Sequence, residues 1–81
     1  MKANIIITIR EDILDPAGKA TLSLLNQEEG STVTDLRIGK YISLNLDEDD
    51  KELATRKVVK LCDEILANPV TENYKFELVN E

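Results

Sequence analysis

The sequence predicts an α+β domain in which two helices cover one face of a four-stranded antiparallel sheet. Three observations predict it. Isoleucines alternate with mostly polar residues near the N-terminus, two short apolar runs meet at Gly39 within Val33 to Leu46 (VTDLRIGKYISLNL), and Lys51 to Ala67 carries apolar side chains at helical spacing. The 81 residues read as one domain, residues 1–81, and a domain of this size buries only about 60% of the surface that its unfolded chain exposes. Its core therefore needs a supplement. A single cysteine, Cys62, excludes an internal disulfide, and the absence of histidine removes the commonest metal ligand. Oligomerisation is what remains.

The first strand spans Ala3 to Arg10, with Ile5, Ile7 and Ile9 on one face and Asn4, Ile6, Thr8 and Arg10 on the other. After the polar loop Glu11 to Leu14, Asp15 stands where a helix N-cap belongs and Pro16 at the first helical position, where its missing N–H costs nothing. The helix that follows places Ala17, Ala20, Thr21, Leu24 and Leu25 in one stripe and points Leu22 away. Gly30 and Ser31 end it and turn the chain.

Two strands are expected next, Thr32 to Ile38 and Tyr41 to Asp47, with Thr34, Leu36, Ile38 and then Ile42, Leu44, Leu46 inward. Their phases disagree across a two-residue turn. Pairing Ile38 with Tyr41 would put the two apolar faces on opposite sides of the sheet, so a bulged hairpin at Gly39, setting Leu36 opposite Ile42, is predicted. Asp47 to Asp50 is an acidic run suited to the N-terminus of the second helix rather than to a metal. On that helix Ala54, Val58, Leu61 and Ile65 form the buried stripe with Cys62 beside them, and Asn68 and Pro69 close it. Tyr74, Phe76 and Leu78 alternate with Lys75, Glu77 and Val79 as the last strand. The order βαββαβ is that of a ferredoxin-like fold. Its open sheet face would carry Ile6, Tyr41 and Val79 among polar residues, a surface suited to a second copy.

Composition narrows the function. Sixteen acidic against ten basic residues give a net charge of −6, which disfavours nucleic acid and anionic membrane surfaces, since both need a clustered basic face. The N-terminal apolar run is too short for a signal peptide or a membrane span, and a lone unpaired thiol fits a reducing compartment, so a cytoplasmic location is expected. Nucleophilic catalysis needs an activated Ser, Cys or Lys beside a base, and no such pair stands out by sequence. Gly18, Gly30 and Gly39 form no phosphate-binding loop. Lys19, Arg37 and Lys40 stand out as basic residues on an acidic domain, where they could meet an acidic partner.

Three segments, LDPAGKA (Leu14 to Ala20), DLRIGKYISLNL (Asp35 to Leu46) and LCDEILANPVTENYKFEL (Leu61 to Leu78), make the chain resemble the PurS family, the small subunits of phosphoribosylformylglycinamidine synthase. The resemblance departs at Glu28, Glu29 and Gly30, where the family tends to an apolar and an aromatic residue and this chain is acidic. It implies a ferredoxin-like homo-oligomer, dimer or tetramer, without catalytic residues or cofactor of its own. Such a subunit bridges a glutaminase subunit, which releases ammonia, and a synthetase subunit, which uses ATP with Mg to activate formylglycinamide ribonucleotide. The signature positions it brings are Asp15, Pro16, Gly18, Lys19, Arg37, Gly39, Lys40, Asn68 and Pro69. Among these Lys19, Arg37 and Lys40, with Tyr41 beside them, are the expected partner contacts. A dimeric ligand-sensing module is the alternative, because fold alone does not separate the two.

Overall fold

The computed structural model describes residues 1–80; Glu81, the last residue of the expected domain, lies outside the described residues. Five elements follow one another: β1 (Lys2–Ile9), α1 (Pro16–Leu25), β2 (Lys40–Asn45), α2 (Lys51–Leu61) and β3 (Glu72–Val79). The strands make one antiparallel sheet in the order β2-β1-β3. β1 is central because its inward residues Ala3, Ile5 and Ile7 are all fully buried, while the strands on either side are half covered. Its register sets Ile5 between Ile42 and Phe76. Alternation then puts Ile42 and Leu44 of β2, and Tyr74, Phe76 and Leu78 of β3, on the same face.

α2 covers that face. The carboxylate of Asp50 caps its first turn by accepting from the Glu52 and Leu53 N–H groups, and Glu48 in turn accepts from Asp49 and Asp50 and from Lys57 Nζ at 2.8 Å. The acidic run is thus a cap, as its position implied. Ala54, Val58 and Cys62 are fully buried against the sheet. Ile65, expected on the same stripe, is 71% exposed. The cause is a π-helical turn, Cys62–Leu66, that continues α2. Its wider i→i+5 closure rotates the last turn, so Leu66 and Ala67 reach the core in place of Ile65.

Three expectations are corrected. The predicted strand Thr32 to Ile38 does not form, the sheet has three strands rather than four, and there is no hairpin at Gly39. Instead the chain runs straight through Gly39. Leu36, Ile38, Ile42, Leu44 and Leu46 all occupy even positions, with Lys40 the one charged residue among them, so the parity is kept from the irregular segment into β2 and a straight strand satisfies it without a bulge. Residues 37 and 38 accordingly lie beside the stretch that follows β1, where the Arg37 guanidinium reaches the carbonyls of Arg10 and Ile13.

The second helix of the expected layer is displaced for the same reason. α1 has no extended packing on the sheet; it lies along its own return segment as an arm, and the molecule measures 51 × 28 × 13 Å. Its radius of gyration of 16.3 Å compares with roughly 12 Å for a compact chain of this length. The α1 stripe is turned from the one expected: Gly18 is buried and Thr21 and Leu22 are half-buried, while Ala17, Ala20, Leu24 and Leu25 are exposed. Gly18 sits against the Asp15 carboxylate and the Leu36 carbonyl, and the residues spaced i+3 and i+4 from it, Thr21 and Leu22, are the ones partly covered.

Gly39 is needed for a reason other than a bulge. A Cβ there would sit 2.5 Å from the Ile7 carbonyl oxygen, a backbone atom that cannot retreat without breaking the β1–β2 ladder. Replacing Gly39 with Val should therefore cost about 2 kcal/mol or more, read as a fall of roughly 8 °C or more in melting temperature. A variant that melts with the wild type would show that this approach is slack.

Candidate functional site

Three of the signature positions, Asp15, Gly18 and Arg37, meet at the neck where the arm leaves the sheet. Asp15 is 4% exposed and holds two elements at once. One carboxylate oxygen caps α1 by accepting from Gly18 N–H at 2.9 Å; the other accepts from Ile38 N–H at 2.8 Å. Gly18 has no room for a side chain, since a Cβ would meet the Asp15 carboxylate and lie 3.1 Å from the Leu36 carbonyl oxygen. Arg37 closes the neck from outside, its Nη2 donating to Arg10 and Ile13 carbonyls at 2.8 Å each. The two backbone bonds, from Ile38 and then Gly18, hold the Asp15 carboxyl below its ordinary range against desolvation, with the Arg37 charge adding to them.

The four expected contact residues do not form one patch. Lys19 is exposed on α1 with no ion-pair partner among the described residues. Arg37 is engaged within the chain. Lys40 lies on the helix-covered side of the sheet and reaches across β1 to Glu72 at 3.6 Å. Tyr41 points the other way, 65% exposed on the open face. There it borders a shallow depression with Asn4, Ile6, Lys75 and Glu77, and the Ser43–Asn4–Glu77 row beside it is joined by hydrogen bonds of 3.1 and 3.4 Å. Sequence reasoning saw Asp15 only as a cap. Its second bond, to Ile38, had no sequence signal, because the partner is a backbone N–H 23 residues away.

The chemistry on offer is that of binding. Cys62 is fully buried, and burial first, then the Asp63 charge, push its thiol up. Tyr74 donates its hydroxyl to Asp63 Oδ1 at 3.0 Å, and burial with that bond raises its phenol as well. Both stay protonated near neutral pH. Among the described residues no cluster of three or more metal-binding side chains occurs, and no helix is long and apolar enough to cross a membrane. The first turn of α1 is closed to a phosphate by the carboxylate already seated there.

Comparison with known proteins finds a consistent set of relatives. The family described as PurS, phosphoribosylformylglycinamidine (FGAM) synthase, matches residues 2–80. The chain is 46% identical over 74 residues to the phosphoribosylformylglycinamidine synthase subunit PurS of Synechocystis sp., covering 91% of this chain and 74% of that protein. It is 35% identical to the Bacillus subtilis subunit over 77 residues, 95% and 90% of the two chains. Among solved structures, B. subtilis PurS superposes with a TM-score of 0.83 at 36% identity, over 94% of both chains. A chain of PurLQS from Thermotoga maritima superposes with a TM-score of 0.84 at 38% identity, over 94% of this chain and 93% of that one.

Two predictions concern the neck. Because the folded Asp15 carboxyl sits below 3.8, its ionised form contributes stability above its unfolded value, and that contribution is lost as pH falls through the folded one. Asp15→Asn should melt well below the wild type near pH 7, and in parallel thermal scans the gap should narrow progressively as the pH falls below 3.8. Arg37→Met, which frees two carbonyls, should lower the melting temperature by roughly 5 °C or more. Lys19→Met should leave it unchanged.

Proposed function

The chain belongs to the PurS family and is a subunit of phosphoribosylformylglycinamidine (FGAM) synthase, an enzyme of purine biosynthesis, and on that premise we propose that it works as a non-catalytic bridge. It joins a glutaminase subunit to a synthetase subunit and supports the passage of ammonia between them. The likeness to a PurLQS chain over 94% of its length is the observation that carries this reading. The arm supports it too, since a chain 51 Å long and 13 Å thin presents far more surface than its core requires.

In this reading the chemistry belongs to the partners. Glutamine is hydrolysed to ammonia in one subunit. In the other, ATP with Mg activates the amide oxygen of formylglycinamide ribonucleotide, and ammonia displaces phosphate to give the amidine. This chain contributes surface: Lys19 on the arm and Tyr41 on the open sheet face are the exposed members of the expected contact set. Lys40 is held by Glu72 and Arg37 by the neck, so both act by fixing the shape that the partners meet. The subunit works as a homo-oligomer within a cytoplasmic assembly.

Reconstitution tests the proposal. The glutaminase and synthetase subunits are assayed with ATP, formylglycinamide ribonucleotide and either glutamine or ammonia, with and without this chain. Glutamine-dependent turnover should require the chain, while ammonia-dependent turnover by the synthetase persists at a reduced level. Full coupling without it would overturn the bridge and bring the ligand-sensing reading forward, to be examined by titrating the isolated chain with amino acids and purine nucleotides.

A further inference from the structure

The sheet ends at β3 in a long, regular strand whose outer side is unpaired. All 8 residues from Glu72 to Val79 keep one register with β1, and no bulge, proline or glycine interrupts them. Arg10 N–H donates to the Thr71 carbonyl in that same register, so the odd positions Asn73, Lys75 and Glu77 turn their backbone groups to β1. The even positions turn theirs outward. Glu72 N–H is taken up by the Asn68 carbonyl at 2.7 Å in the turn before the strand, whereas among the described residues no turn or loop backbone bond reaches Tyr74, Phe76 or Leu78. Sheet edges of this length are ordinarily shortened, bulged or covered, because a row of unpaired N–H and C=O groups recruits another strand.

The side chains at those even positions point to the helix-covered face, yet Tyr74, Phe76 and Leu78 are only half-buried. The rings of Tyr74 and Phe76 stack along the edge with centroids 6.4 Å apart. Beside Tyr74, between the π turn that ends α2 and the start of β3, lies a cleft of about 360 Å³, room enough for one long side chain. Cys62, Asp63, Ala67 and Pro69 form one wall and Glu72, Asn73 and Tyr74 the other, with no residue from β1 or β2, so the cleft belongs to the outer strand. Glu72 is already engaged, by Lys40 and by Asn68 N–H. Asp63 accepts the Tyr74 hydroxyl and has no ion-pair partner among the described residues. The cleft thus offers a carboxylate and an aromatic ring to one incoming cation.

We infer that an extended segment of one of the two subunits this chain joins adds to β3 as an antiparallel strand, with an arginine or lysine opposite Tyr74 reaching Asp63 in the cleft and apolar residues opposite Phe76 and Leu78. Main-chain bonds to the three free positions supply the affinity, and the cleft supplies the selectivity. Residues opposite the even positions project to the same face as they do, so the strand that pairs with Tyr74 brings its side chain to the cleft. Charge selects the occupant. A second copy pairing through this edge would present Glu72, Tyr74, Phe76 and Leu78 on that face, none of them basic, while its Lys75 lies on the opposite face. A net charge of −6 favours a basic segment in the same sense. The inference rests on the bridging reading and deepens it by naming the strand and the kind of residue through which a partner is held.

Amide hydrogen exchange on the full chain tests it, read residue by residue in the free protein and in the assembly reconstituted with the glutaminase and synthetase subunits. In the free protein Tyr74, Phe76 and Leu78 should exchange roughly tenfold or more faster than Lys75 and Glu77, which the β1 ladder protects; in the assembly the three should slow to match. Equal rates for the three in the two states would overturn the inference. Full protection already present in the free protein would overturn it too, by placing a second copy on the edge. As an independent check, Asp63→Asn keeps an acceptor for the Tyr74 hydroxyl and removes the charge. It should weaken assembly roughly tenfold in low salt and less in high salt, by calorimetric titration; an unaltered affinity at both would overturn the basic residue in the cleft. Turnover keeps the two readings apart. Glutamine-dependent activity that requires the chain while the three amides stay fast brings down only this strand, whereas full coupling without the chain brings down the bridge itself.

Discussion

One buried carboxylate decides where a third of the molecule lies. Asp15 bonds the first turn of α1 with one oxygen and the segment that leads into β2 with the other, and both bonds run to backbone N–H groups. Backbone donors fix position more firmly than side chains, since they have no rotamers to lose. The Arg37 guanidinium completes the junction by satisfying carbonyls of the loop between β1 and α1. The neck is rigid for polar reasons while the arm beyond it lacks apolar cover. That combination of a fixed base and an exposed surface suits an element whose packing partner lies outside its own chain.

The body of the fold was legible in the sequence wherever one local rule governed. The isoleucines of β1, the alternation in β3 and the Asp50 cap of α2 were readable because burial of one face, or one cap bond, set each of them. Legibility failed where two rules competed. At Gly39 the turn propensity of glycine suggested a hairpin, yet the even-position apolar pattern continued through it; the disagreement in phase was the sequence's own sign that no turn was present. At Ile65 a regular 3.6-residue period was carried past the point where the backbone widens into a π turn, and nothing in CDEIL announces that widening.

The expected contact residues divide along the same line. Arg37, Lys40 and Tyr41 sit close together in sequence and look like one basic tip. Extended backbone sends neighbours to opposite faces, so Lys40 joins Glu72 on one side of the sheet while Tyr41 is left on the other. Arg37 turned out to bond backbone carbonyls, which a list of charges cannot reveal. Membership of the PurS family was carried by punctuation, the prolines, glycines and caps, more than by charged surface.

The straight run through Gly39 also limits how the sequence can vary in length. Adding or deleting one residue between Leu36 and Ile42 would reverse the faces of everything on the arm side relative to the sheet and detach Ile38 from Asp15 at the same stroke. The turn at 26–31 carries no such phase: Gly30, at φ 80°, has nothing within 4 Å of the place a Cβ would take. Insertions that would be ruinous in the strand can be absorbed there as a longer bend. Across related chains, length changes in this half of the molecule should gather in that bend, and the seven positions from 36 to 42 should keep their count even where their side chains differ.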